Sequence, residues 1–269
     1  MARKSYAPKS MGLFMRIDEC PREFRELLDG AVISDRSGHS SAETLKIIKG
    51  GRALYLKSAE AGTLWKEAAQ TRFFHSKGLA AEVLSYVNDG RDWLLTAEVS
   101  GRDCTSREFL EQPERLSELL GKKLRELHSL DFAGCPVIDW VGDFLSGAEE
   151  NYARGTYNKE HFPDSYGYAS AEDAYRVIRE RGHTLEANAL IHGDYCLPNV
   201  ILDDWEFSGF IDLGGGGVGD RHSDIFWGAW SLWYNLGTDA YRERFFDAYG
   251  RDFIDMERLE VIAAAEVFY

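Results

Sequence analysis

Between residues 190 and 214 the chain reads Leu-Ile-His-Gly-Asp-Tyr-Cys-Leu-Pro-Asn-Val-Ile-Leu-Asp-Asp-Trp-Glu-Phe-Ser-Gly-Phe-Ile-Asp-Leu-Gly, and three of these side chains could act on a phosphate ester. Asp194 lies on a loop kept tight by Gly193 and Pro198. A carboxylate there can orient an attacking hydroxyl and take its proton. Asn199 and Asp212 are hard oxygen donors of the kind Mg²⁺ prefers. Two apolar runs, 200–202 and 207–211, flank a polar turn at 203–206. That pattern predicts an antiparallel hairpin whose open end brings Asn199 beside Asp212. Phosphoryl transfer needs a positioned carboxylate and metal ligands, and little covalent chemistry from the protein. Any one of the three alone could be a solvated loop residue; their joint order and spacing point to a magnesium-dependent phosphotransferase. His192 is expected to order the loop by hydrogen bonding rather than to titrate during turnover.

These residues need a frame. Short apolar or β-branched runs at 43–48 and 53–57 are split by Lys49-Gly50-Gly51-Arg52, a hairpin signal. Residues 63–77 read as a helix, with Thr63 as its cap and Gly78 as its stop. Two further strands are expected at 83–87 and 93–99, around the turn Asn88-Asp89-Gly90-Arg91. In the run Ala53-Leu-Tyr-Leu-Lys57, side chains two apart share a face. Tyr55 and Lys57 therefore point one way while Leu54 and Leu56 pack behind. An aromatic ring for adenine beside a lysine for the α- and β-phosphates suits a nucleotide site, with Glu67 as the natural partner of that lysine.

Beyond residue 105 the period becomes helical. Leu116, Leu119, Leu120, Leu124, Leu127 and His128 recur at three- and four-residue spacing behind Pro113. Residues 140–169 mix polarity, tyrosines and a Pro-Asp-Ser turn; they read as an insertion, about 140–185 in all, whose secondary structure the pattern leaves open. A short helix capped by Ser170 follows at 171–181, and the aromatic-rich tail from Ser223 is helical in pattern. The fold class expected is α+β. Residues 1–99 would make a small antiparallel-sheet, nucleotide-binding lobe, and 100–269 a larger, mostly helical lobe for catalysis and the acceptor.

Bulk properties narrow the class. A chain of 269 residues with 44% hydrophobic and 28% charged residues can bury a core and is not disordered in character. No apolar run approaches the roughly 18 residues of a membrane span. The basic start lacks the apolar core and cleavage site of a secretory signal, so a cytoplasmic location is expected. Four scattered cysteines without C-x-x-C suit inert thiols in a reducing compartment. A net charge of −14 argues against nucleic-acid binding and suits a cationic small molecule.

Gly214-Gly-Gly-Gly-Val-Gly219 also satisfies G-x-G-x-x-G after a strand. A dinucleotide fold would need a second parallel strand about 20 residues on. Ile225-Phe-Trp-Gly-Ala-Trp-Ser-Leu-Trp-Tyr shows none. The glycines are expected instead to let the backbone pass close to phosphates and metal.

His-Gly-Asp-x-x-x-x-Asn followed by Ile-Asp resembles the catalytic and metal loops of the kinase-like phosphotransferases that modify antibiotics, the aminoglycoside 3′-phosphotransferases in particular. The likeness runs from Ser37 to the C-terminus. It implies a two-lobed protein-kinase-like fold with ATP in the cleft, and cytoplasmic inactivation of drugs such as kanamycin and neomycin. By this resemblance Asp194 is catalytic, Asn199 and Asp212 hold Mg²⁺, and Tyr55, Lys57 and Glu67 serve ATP. Ser40 would offer its amide to the phosphates, and backbone groups of Ala97 and Val99 would meet the adenine edge. Glu160, Asp164, Glu266 and the terminal carboxylate of Tyr269 fall where the family contacts its acceptor. A cationic aminoglycoside is then the expected partner, with no nucleic acid or membrane, acted on by a monomer or weak dimer.

The chain departs from the family on the acceptor side. Gly215 replaces the usual arginine, the helix after Asp224 carries Trp230, Trp233, Tyr234 and Asn235 in place of charges, and Tyr269 follows the usual terminal Phe268. Rival readings are a kinase of the same fold acting on a macrolide, choline, a sugar or a metabolite, and a non-catalytic pseudokinase. The presence of Lys57, Glu67, Asp194, Asn199 and Asp212 together speaks against the last.

Overall fold

Strands β2 (Glu43–Lys49) and β3 (Arg52–Glu60) pair antiparallel with Lys49 opposite Arg52. Gly50 and Gly51 take φ of +58° and +76°. That left-handed pair is what a two-residue type I′ turn requires, so this hairpin follows directly from its sequence. In a computed structural model describing residues 20–38, 41–157 and 168–269, β1 (Val32–Asp35), β4 (Val83–Asp89) and β5 (Arg91–Ala97) complete an antiparallel sheet in the order β1-β2-β3-β5-β4. The last strand starts and ends two residues earlier than the 93–99 expected. Alternation buries Leu45, Ile47, Leu56, Trp93 and Leu95, and Phe24 and Leu28 of helix α1 (Arg22–Leu28) join them in one core.

Two compact units divide the chain. One is the sheet unit, the described part of Met1–Trp65 with Glu82–Glu98; the other takes Lys66–Ala81 and Val99–Tyr269. Residues 66–81, which include Glu67, thus belong to the second unit. Helix α2 (Trp65–Ser76) is not capped by Thr63, whose hydroxyl donates to the Glu60 carbonyl at 2.7 Å. The Leu64 amide is taken instead by the buried Asp92 carboxylate at 2.8 Å, a partner 28 residues away that local spacing does not reveal. Gly78, at φ +73°, ends the segment as expected.

In the second unit α3 (Arg107–Leu110) leads into α4 (Pro113–Leu127), whose Leu116, Leu120, Leu124 and Leu127 are at most 1% exposed. They share a core with Phe245, Phe246 and Tyr249 of α8 (Arg242–Tyr249). The insertion whose secondary structure the sequence leaves open contains a regular helix, α5 (Trp140–Ala153). Its Phe144 and Ala148 pack with Ala174 and Ile178 of α6 (Ala171–Arg181) and with Val261, Ile262 and Ala265 of α9 (Met256–Glu266). Ser170 caps α6 by accepting the Asp173 amide. Five short strands, β6 (Arg102–Asp103), β7 (Ala189–Ile191), β8 (Val200–Asp203), β9 (Glu206–Phe210) and β10 (Gly217–Gly219), make two small sheets, and α7 (His222–Leu236) lies between β10 and α8 in sequence. Among the described residues no helix is long and apolar enough to cross a membrane.

Candidate active site

The hairpin forms as β8 and β9, antiparallel, with Val200 opposite Phe210. Its turn residues Asp204 and Trp205 take φ of +47° and +69° without glycine. Trp205 is held there by an edge contact with Phe109 at 5.0 Å and by the Arg115 guanidinium 4.1 Å above its ring. Pairing continues past the strands, since the Ile211 amide donates to the Asn199 carbonyl at 3.1 Å. Asp212 follows immediately. The Asn199 side-chain nitrogen donates to the Asp194 carbonyl at 3.0 Å and to its carboxylate Oδ2 at 2.8 Å. With that nitrogen committed, the amide oxygen faces away from Asp194. The three residues picked from spacing are therefore brought together. Asp194 and Asn199 bond directly, Asp212 is set beside them by backbone pairing, and the Asn199 amide oxygen and the Asp212 carboxylate are hard donors of the kind a divalent metal takes.

Helix α7 carries the loop that bears Asp194. Asp224, fully buried, accepts the amides of His192 (2.7 Å) and Gly193 (2.8 Å). Its Oδ2 also meets His128 Nε2 at 3.1 Å, and His128 Nδ1 meets the Tyr249 hydroxyl at 2.9 Å. Burial lowers the His128 pKa, with the Asp224 hydrogen bond opposing. A neutral ring that donates from Nε2 and accepts at Nδ1 fits those partners. Two helical turns later Ser231 accepts the Leu197 amide at 2.9 Å, and Asn235 donates to the same hydroxyl. His192 orders the loop as expected, its Nδ1 taking the Asp194 amide at 3.3 Å. Reasoning from sequence missed Asp224 and Ser231, and took His128 only for the end of an apolar stripe. Polar residues in an otherwise apolar helix were the available signal.

The glycine run packs backbone against backbone. Leu213–Gly215 is a single 3₁₀ turn, and β10 pairs antiparallel with β7, which excludes a dinucleotide-binding unit here. A Cβ on Gly193, whose φ is +80°, would collide with the Gly215 carbonyl oxygen, and one on Gly216 would come within 2.9 Å of the Ile191 carbonyl oxygen.

The other expected site residues divide between the units. Tyr55 and Lys57 lie on β3, Lys57 opposite Thr44 and Leu94, with Leu56 buried behind them. Lys46 sits 5.7 Å from the Tyr55 ring and pairs with Glu98 at 2.6 Å. Ala97 ends β5 and donates its amide to the Glu82 carbonyl at 2.9 Å. Glu67 stands in the first turn of α2, where a Cβ on Gly214 would lie 3.5 Å from its own Cβ. Val99 packs against Gly209. Ser40, Glu160 and Asp164 lie outside the described residues.

Glu266 is a buried acid rather than an open one, and its Oε1 accepts the Trp227 indole N–H at 3.0 Å. Burial pushes its pKa up to about 8; the Trp227 hydrogen bond opposes this and the Asp194 charge adds to it. Tyr269 is half-exposed, stacks on Phe144 at 5.2 Å and donates its hydroxyl to the Phe144 carbonyl at 2.6 Å. Trp230 stacks on Tyr234 at 4.9 Å. Trp230 and Trp233 line a groove of about 830 Å³ with Met256 and Leu259, which neither Asp194 nor Glu266 lines.

Residues 32–262 match the phosphotransferase enzyme family, and the chain belongs to it. A protein of Lactococcus lactis subsp. lactis, named "Probable aminoglycoside 3'-phosphotransferase", is 42% identical over 257 residues, 95% of this chain and 97% of its own. An aminoglycoside 3′-phosphotransferase of Niallia circulans is 30% identical over 180 residues, 67% of this chain and 68% of its own. The crystal structure of an aminoglycoside-3′-phosphotransferase of type VIII aligns with a TM-score of 0.72 at 26% identity, covering 94% of this chain and 99% of that one. The fold is the protein-kinase-like α+β fold expected, with an antiparallel sheet and many helices.

Proposed function

We propose that the protein uses Mg²⁺ to transfer the γ-phosphoryl group of ATP to the 3′-hydroxyl of an aminoglycoside, and so inactivates the drug. The observation that carries this reading is the hydrogen bond from Asn199 to the Asp194 carboxylate (2.8 Å), made beside the residue pair that leads into Asp212. It fixes one oxygen of Asp194, leaving the other to take the proton of the attacking hydroxyl. Magnesium bound by the Asn199 amide oxygen and the Asp212 carboxylate would neutralise phosphate charge. Lys57 and Ser40 are assigned to the phosphates, Tyr55 to the adenine face, and the Ala97 carbonyl and Val99 amide to its edge. Glu266, the terminal carboxylate of Tyr269, Glu160 and Asp164 are assigned to the acceptor's ammonium groups. The name of the Lactococcus relative and the charge of −14 support a polycationic acceptor. Use of ATP fits a cytoplasmic location.

A second reading keeps the chemistry and changes the acceptor to a less cationic small-molecule alcohol. It is favoured by the protonated state of Glu266 near neutral pH. Mass spectrometry of kanamycin incubated with the protein and MgATP separates the two. The aminoglycoside reading predicts addition of one phosphoryl group to kanamycin and none to a matched analogue lacking the 3′-hydroxyl. Phosphorylation confined to neutral alcohols would overturn it.

A further inference from the structure

Asp212 holds φ at +59°, a left-handed backbone that side-chain-bearing residues rarely adopt. Such a conformation persists only where the surroundings over-determine it. The turn that follows it is gripped by two side chains from different helices. Trp140, the first residue of α5, donates its indole N–H to the Gly215 carbonyl at 2.9 Å. Gln70, fully buried in α2, donates its amide to the Gly216 carbonyl at 3.1 Å.

Both donors are themselves immobilised. Trp140 stacks on Phe144 at 4.5 Å, and Phe144 stacks in turn on Tyr269 at 5.2 Å. A Cβ on Gly219 would lie 2.9 Å from the Trp140 ring, so that strand closes over the indole. Gln70 is also bonded to the Cys135 thiol at 3.4 Å. Consecutive carbonyls, held by separate donors, fix the orientation of the two peptide planes that close the turn Asp212 leads into.

We infer that Trp140 and Gln70 are positioning residues for Asp212, which hold its backbone in the left-handed conformation that turns its carboxylate to the metal. This rests on the reading of Asp212 as a metal ligand. Without these donors the turn is free to relax toward ordinary backbone angles, taking the carboxylate out of register with Asn199 while the cores stay packed.

Trp140→Phe keeps an aromatic ring for the stack and deletes the donor; Gln70→Met keeps the volume and deletes the other. Mn²⁺ serves as the probe, its binding to the protein–ADP complex followed by electron paramagnetic resonance. Each variant is expected to weaken Mn²⁺ by about tenfold, the scale on which groups that orient metal ligands act. ADP binding without metal should be unchanged, and kcat at saturating metal should fall less than metal affinity does. Tyr168→Phe deletes a hydroxyl donor to the Glu260 carbonyl in the same core and leaves Trp140, its stack and Gln70 in place, so it should bind Mn²⁺ as the wild type does. Wild-type Mn²⁺ affinity in both folded donor variants, or an equal loss in Tyr168→Phe, would overturn the inference while leaving the phosphotransferase reading intact. Absence of Mn²⁺ binding by the wild-type ADP complex would overturn both.

Discussion

Burying Glu266 near the Asp194 charge makes it hold its proton to about pH 8, against a usual value of 4.5. An acid whose pKa rises on folding binds protons more tightly in the native state. Its stabilising effect is complete below pH 4.5, shrinks as pH rises, and is gone above about pH 8. The thermal midpoint should therefore fall between pH 5 and 8, and Glu266→Gln should flatten that slope in a scanning-calorimetry series. An equal slope in the variant would place the proton elsewhere. Aminoglycoside KM should also drop as pH rises toward 8 in the wild type, because the charged carboxylate is the form that pairs with an ammonium group. Asp194, Asn199 and Asp212 were legible in the sequence because one loop and one hairpin set their geometry. Asp224 and His128 were not, since each acts through a partner distant in the chain, His128 meeting Asp224 across 96 residues. Nothing in the local sequence around Glu266 announces that Trp227 covers it.

At the level of elements, the β8–β9 hairpin and the loop beside it carry backbone strain that substitution can test. Asp204 opens the β8–β9 turn at φ +47°. Asp204→Gly should relieve that strain and raise stability by roughly 0.5–1 kcal/mol, read as a higher urea midpoint. Gly193 offers the opposite case, as its φ is +80° and any Cβ would strike the Gly215 carbonyl. Gly193→Ala should cost about 2 kcal/mol or more and reduce turnover more than it reduces nucleotide binding; retention of full activity would mean the loops need not touch. The same reasoning explains why α5 escaped detection. Gly142 and Gly147 weaken its helical signal, yet each is a place of close approach, to the Asp139 carboxylate and to the Tyr269 hydroxyl respectively. Tertiary packing stabilises a helix that local propensity does not announce. The β2–β3 hairpin is the converse, fully written in Lys49-Gly50-Gly51-Arg52.

For the molecule as a whole, a charge of −14 should draw polycations and fade with salt. The KM for kanamycin is expected to rise several-fold between about 20 and 300 mM salt, as the Debye length falls below about 10 Å. The KM for ATP should rise less or fall, and a kanamycin KM indifferent to salt would point to the less cationic acceptor. The order of elements, a hairpin-rich sheet followed by long amphipathic helices, made the α+β class readable from the sequence. Membership of residues 66–81 in the helical unit was not readable, because it depends on Phe74, Gln70 and Leu79 finding partners far along the chain.

The central claim is that Asp194 handles the acceptor's proton while other groups bind nucleotide. Quenched-flow measurement of phosphoryl transfer to kanamycin, with MgATP affinity determined on the same samples, tests it most directly by comparing wild type with Asp194→Ala. The account predicts at least roughly a hundredfold slower transfer with nucleotide affinity unchanged. Transfer at the wild-type rate in Asp194→Ala would contradict it.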